Sequence, residues 1–217
     1  MLVDKMTRAD IRKELISDFF ESISDKTTGL DSKYRRYFIK NKNKDTILGL
    51  HYYTSKRLNK WLILPFARKN ALCYGYVCIR GSSYGETCYA IGNNGIGITD
   101  NTPTNTVIHE FTPHLFDRYK ARYCKDYDGK IIEHFFINNY FGSMYSNKEK
   151  GENYAFLMNP SGFALGYYDL DRLYFKYNTF ITNEMLKQNQ FSEHPDLDKQ
   201  KIALEKIFEL YCIKNKK

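Results

Sequence analysis

Short runs rich in β-branched and aromatic residues, each closed by a turn signal, recur along this chain and direct it toward folds built on an antiparallel sheet. The first set lies between Ile47 and Thr99, at 61–64, 73–79, 87–91 and 96–99, with Gly92-Asn93-Asn94-Gly95 as the clearest tight turn because Gly and Asn tolerate positive φ. Residues 106–112 form one more strand. A second meander follows at 154–158, 163–168 and 173–182, divided by Asn159-Pro160-Ser161-Gly162 and by Asp169-Leu170-Asp171.

Helical signals sit around these runs. Thr7 and Asp10 form a capping box ahead of Ile11, Leu15, Ile16, Phe19, Phe20 and Ile23, whose spacing predicts an amphipathic helix ending near residues 26–29. Thr112 followed by Pro113 marks a helix start, so a helix is expected over 113–124, with a second over 130–140. Ile202, Ile207, Phe208 and Tyr211 give a last helix over 198–213 an apolar face. Residues 30–46 carry many cations without a clean period and read as an irregular basic arm. The expectation is an α+β fold in which a curved antiparallel sheet is packed by a central helix and flanked by N- and C-terminal helices. One domain over 1–217 is expected, divided into a helix and basic arm (1–46), a sheet core with inserted helices (47–186) and a C-terminal helix (196–217).

Composition limits the function classes. Hydrophobic residues make up 42% of the 217, enough to pack a core. No window approaches the roughly 20 apolar residues of a membrane span, and residues 1–6 lack a secretory apolar run, so a cytoplasmic protein without a membrane partner is expected. Five cysteines without a CxxC pair argue against a disulfide framework and a four-thiolate zinc site. A net charge of +8 favours encounter with a phosphate polymer, RNA more than DNA, although the same charge also serves solubility. Arg35, Arg36, Lys56 and Arg57, interleaved with tyrosines, are the candidate nucleic-acid contacts; such tyrosines stack unpaired bases or simply pack. A protein partner such as an antitoxin is also considered.

Ionisable residues converge at 109–123. On a helix beginning at Pro113, His114, Arg118 and Arg122 follow at steps of four and border the face made by Leu115, Phe116, Tyr119 and Tyr123. An imidazole beside two guanidiniums can serve a phosphate: a neutral His removes a 2′-hydroxyl proton, Arg stabilises the pentacoordinate phosphorus, and His or Tyr protonates the leaving oxygen. His114, Arg118, Arg122, His109 and Tyr119 supply those roles. The competing account has His114 near the helix start as a cap and the arginines paired with a carboxylate such as Glu110 or Asp169. His109-Glu110 opens like HExxH, but Pro113 stands where the second histidine belongs, so no metal and no cofactor is expected.

The run His114-x3-Arg118-Tyr119-x2-Arg122, followed much later by Thr179-Phe180-Ile181-Thr182, resembles the catalytic core of small toxin-type nucleases of the barnase, EndoU, colicin and RelE kind. The resemblance covers some 70 to 80 residues, about a third of the 217. It implies a helix bearing His and Arg on an antiparallel sheet, with Thr179 directed toward the same cleft. The function expected is a metal-independent ribonuclease acting on RNA phosphodiesters; the alternatives are a non-catalytic nucleic-acid-binding protein of a mobile element or phage, and an interaction module.

Overall fold

The computed structural model describes residues 1–3, 5–41, 44–68, 70–92, 106–140, 143–149, 152–169 and 173–187. The fold is α+β and its sheet pairings are mostly antiparallel. The chain divides into two compact units, Met1–Glu110 with Leu170–Tyr174, and Phe111–Asp169 with Phe175–Lys217.

The first unit opens with α1 (Arg8–Asp18), a π-helical turn (Phe19–Ile23), a 3-10 turn (Ser24–Thr27) and α2 (Thr28–Asn41). The expected capping box forms: Thr7 Oγ1 accepts from Asp10 N at 3.2 Å, and Asp10 Oδ2 accepts from Thr7 N at 3.1 Å. Strands β1 (Thr46–Ile47), β2 (His51–Thr54), β3 (Lys60–Arg68), β4 (Ala71–Ser82) and β5 (Gly85–Gly92) follow. Strand β3 pairs with β1, β2 and β4, and β4 pairs with β5, all antiparallel. The register sets Trp61 opposite Cys78 and Cys78 opposite Tyr89. Strand period then places Ile63, Tyr76 and Ile91 on the same face. Ile11, Leu15, Phe19 and Ile23 of the helical segment join that face in one buried cluster.

Asp18 is the polar centre of this packing. It is fully buried, and its Oδ2 accepts from Ser55 Oγ at 2.8 Å, Asn59 Nδ2 at 2.7 Å and Trp61 Nε1 at 2.8 Å. The last turn of α1 is thereby tied to the turn before β3 and to the largest side chain of the core. The π-helical widening begins at the next residue and turns both Phe19 and Ile23 into the core.

Residues 30–46, expected as an irregular arm, are largely helical. Leu30 packs on the core cluster and Tyr34 is buried, with Phe38 half-buried one turn later. That seam, repeating every four residues, gives α2 a docking face. It is narrow and interrupted by cations, which hides it in the sequence. Strands β1 and β2, only 2 and 4 residues long, are too short for alternation to mark them. The tight turn at 92–95 and the strand at 96–99 fall wholly or mainly outside the described residues, as does the helix at 198–213.

Strand β6 (Val107–Phe111) and strand β10 (Tyr174–Thr182) contribute residues to both units. Ile108 N donates to Leu173 O at 3.0 Å in the first unit, and Thr112 N to Tyr177 O at 3.2 Å in the second. Both partners advance by four residues, the signature of a parallel pair. The second unit holds α3 (Pro113–Tyr123), α4 (Ile131–Asn139), β7 (Ser143–Glu149), β8 (Glu152–Asn159), β9 (Gly162–Asp169) and α5 (Asn183–Lys187). Strands β7, β8 and β9 form an antiparallel meander, to which β7 is an addition beyond the runs expected from sequence. Helix α3 starts as its cap foretells, with Thr112 Oγ1 accepting from Leu115 N at 3.4 Å. Among the described residues no helix is long and apolar enough to cross a membrane.

Replacing Asp18 by Ala leaves Ser55 Oγ and Trp61 Nε1 buried without this acceptor and Asn59 Nδ2 with Glu14 alone, so a loss of about 3 kcal/mol in urea unfolding is expected, with a smaller loss for Asp18→Asn, which keeps an acceptor oxygen. A loss below about 1 kcal/mol for the alanine variant contradicts the role given to this residue.

Candidate functional site

The row expected on α3 is present in the second unit, but its members have different surroundings. His114 is exposed, Arg118 and Arg122 are half-buried, and Tyr119 is fully buried. Arg118 Nε donates to His114 Nε2 at 3.3 Å. Arg122 Nη1 donates to Phe180 O at 2.5 Å and to Thr179 Oγ1 at 3.4 Å. Arg122 and Thr179 are thus in contact, and that contact ties α3 to β10 within the second unit. His114 lies eight residues away along α3, about 12 Å at the helical rise.

Tyr119 faces inward. Its hydroxyl is 3.0 Å from His134 Nδ1, its ring stacks on Tyr123 at 5.3 Å, and burial raises its pKa well above the usual phenol value. His134, isolated in the sequence, thus belongs to a cluster with Tyr119, Tyr123 and Tyr127, the last with its ring centre 4.4 Å from the imidazole. Burial lowers the His134 pKa. The cluster arises from α3 packing on α4 and has no signature in linear spacing.

The remaining sequence candidates lie in the first unit. His109, on β6, is fully buried, and desolvation lowers its pKa to about 4. It is therefore uncharged at neutral pH. Arg57 donates from Nε and Nη2 to Glu21 at 3.0 and 2.8 Å, and from Nη1 to Glu14 at 2.9 Å. These bonds clamp the turn before β3 to α1 and the π-helical turn, while Lys56 beside it is exposed.

Helix α2 gathers cations more effectively. Lys33, Arg36, Tyr37 and Lys40 recur at the i, i+3, i+4, i+7 spacing of one helical stripe. With Ser32 they line an open groove of about 450 Å³. All five are exposed. Among the described residues, none of the ion pairs that form involves Lys33, Arg36 or Lys40. Arg35, one residue before Arg36, is turned about 100° away and does not line the groove. Lys33 and Lys40 stand outside the candidate contacts drawn from sequence, whereas Tyr37 is one of the interleaved tyrosines; the three-and-four spacing is the signal that joins them.

The opposite side of α2 is anchored by polar contacts. The Tyr34 hydroxyl is 2.7 Å from His51 Nε2, and Tyr74 donates to Asp31. Gly49 permits the Tyr34 position, since a Cβ there would overlap the phenol hydroxyl. Burial, and secondarily the charge of Lys33, lower the His51 pKa. Asp31 is thus held by Tyr74 on a side of the helix away from the stripe.

Among the described residues, no group of three or more His, Cys, Asp or Glu side chains is placed to hold a metal ion. Comparison of the chain with models of protein families, with curated proteins and with solved structures finds no match.

The buried His109 gives a pH prediction. Its folded pKa of about 4 lies below the 6.5 of a free imidazole, so the unfolded chain takes up the proton first. Its contribution is complete above the unfolded value and is lost as pH falls toward the folded one. A decrease of about 2 kcal/mol between about pH 7 and pH 5 is expected from this residue in urea unfolding. His109→Gln should remove that share; an equal decrease in the variant contradicts the assignment.

Proposed function

We propose that this protein binds nucleic acid through the cationic stripe of α2. The observation that carries this reading is the convergence of Lys33, Arg36, Lys40 and the exposed Tyr37 on one groove. Three cations on successive turns of one face displace counterions from a phosphate chain more effectively than the same charges scattered over the surface. The net charge of +8 supports the reading by speeding encounter with a polyanion.

The test is fluorescence anisotropy of a labelled RNA at several salt concentrations, with wild type and the Lys33→Gln, Arg36→Gln, Lys40→Gln triple variant. Affinity should fall at least about tenfold at low salt, and the slope of log affinity against log salt should shrink by about 2, near 0.7 for each phosphate no longer neutralised. Equal affinity and slope in the two proteins contradict the assignment.

A second reading, a metal-independent ribonuclease of the toxin type, draws support from the bond between Arg118 and His114. An imidazole and a guanidinium side by side on one helix face are the residue types that serve as general base and phosphate-stabilising cation. In this reading His114 takes the 2′-hydroxyl proton as the 2′-oxygen bonds to phosphorus, Arg118 stabilises the charge on the phosphorane, and the P–O5′ bond breaks with the protonated His114 or water returning a proton to the leaving 5′-oxygen. Wild type should then cleave RNA in EDTA and His114→Ala should not; intact RNA with both proteins removes this reading and leaves the α2 proposal untouched.

A further inference from the structure

We infer that the occupant of the α2 groove is a single strand, with successive phosphates on Lys33, Arg36 and Lys40 and one unpaired base against Tyr37. This rests on the nucleic-acid reading of the same helix and goes further by naming the form of the ligand. Tyr37 is 58% exposed and lines the same groove at one edge of the stripe, so a strand held by the cations comes within reach of its ring.

A large apolar ring in that position has a cost in water that its contacts within the helix offset only in part. Its aromatic neighbour Tyr34 has its ring centre 6.0 Å away at an interplanar angle of 49°. Such a tilted contact steadies Tyr37 without a parallel stack that would cover its outer surface. Unpaired bases stack on rings of this kind and bring their phosphates beside neighbouring cations, whereas the bases of a duplex are already stacked and paired inside it. The stripe from Lys33 to Lys40 spans only about 10 Å along the helix, which suits a few consecutive phosphates of one strand.

The support beneath α2 fits this assignment. Tyr34 is held by His51 and accommodated by Gly49, and it also carries the Lys33 ammonium 5.6 Å above its ring centre. One buried tyrosine thus orients both the first cation of the stripe and the ring of Tyr37. Gly49, His51 and Tyr34 act as positioning residues and need not touch the ligand.

The test measures anisotropy of one labelled oligonucleotide of about twelve nucleotides, alone and annealed to its complement, against wild type, Tyr37→Leu and the triple cation variant. The expected results are at least tenfold tighter binding of the single strand, and about a tenfold loss of that affinity in Tyr37→Leu with the salt slope unchanged and duplex binding unaffected. The wild-type slope for the single strand should be near −2, the value for about three phosphates. Duplex binding as tight as single-strand binding, or a Tyr37→Leu variant that holds the single strand like wild type, overturns this inference while leaving the nucleic-acid reading intact. Binding that the triple variant retains in full, or no binding of either form, overturns both. Thermal unfolding of each variant separates loss of the site from loss of the fold.

Discussion

A buried carboxyl group at the end of the first helix organises the first unit. Asp18 accepts from Ser55, Asn59 and Trp61 through one oxygen. Ser55 Oγ and Trp61 Nε1 would otherwise be buried without this acceptor, which costs more than the loss of an ordinary surface hydrogen bond. The arrangement therefore selects one docking of α1 on β3. Around it, Arg57 binds Glu14 and Glu21 and Asn59 reaches Glu14, so the turn before β3 is fixed from both sides. Hydrophobic burial of Leu15, Phe19, Ile23 and Trp61 supplies the larger favourable term, but it is non-directional. The polar contacts fix the orientation.

That orientation matters for α2, which follows α1 after only two irregular turns. Helix α2 has a narrow apolar seam and more cations than core residues. It is held by Leu30, Tyr34 and the polar pairs of Tyr34 with His51 and Tyr74 with Asp31. A helix so attached leaves most of its circumference to solvent, and the cations occupy that solvent side. The same feature that makes α2 a weak contributor to the core leaves its cations on the solvent side, which is what the nucleic-acid proposal rests on.

The sequence announces α1 and α3 clearly because their starts carry caps that depend on local chemistry: Thr7 with Asp10, and Thr112 with Pro113. The strands from β3 to β5 and from β8 to β10 are equally legible, since long β-rich runs leave few other conformations. Helix α2 is not, because Lys33, Arg35, Arg36 and Lys40 crowd a seam of only Leu30, Tyr34 and Phe38. Asp18 does carry a signal in the sequence: a carboxyl residue three places after Leu15 sits within the apolar stripe, where only a partnered polar group is tolerated. The contacts of Tyr119 with His134 and of Tyr34 with His51 and Gly49 depend on tertiary packing. Of the cations and histidines singled out from sequence, Arg57 and Arg122 fix elements of their own units, His109 is buried, and Arg36 alone lies in the groove.

Chemical footprinting asks whether α2 is the face that nucleic acid covers. The protein is treated with an amine-acylating reagent with and without a saturating single-stranded oligonucleotide, and modification of each lysine is read by mass spectrometry. Lys33 and Lys40 should be protected by the oligonucleotide, while Lys56, exposed at the turn before β3, should react equally in both samples. Unchanged reactivity of Lys33 and Lys40 in a sample where the oligonucleotide is bound contradicts the assignment of α2 as the binding face.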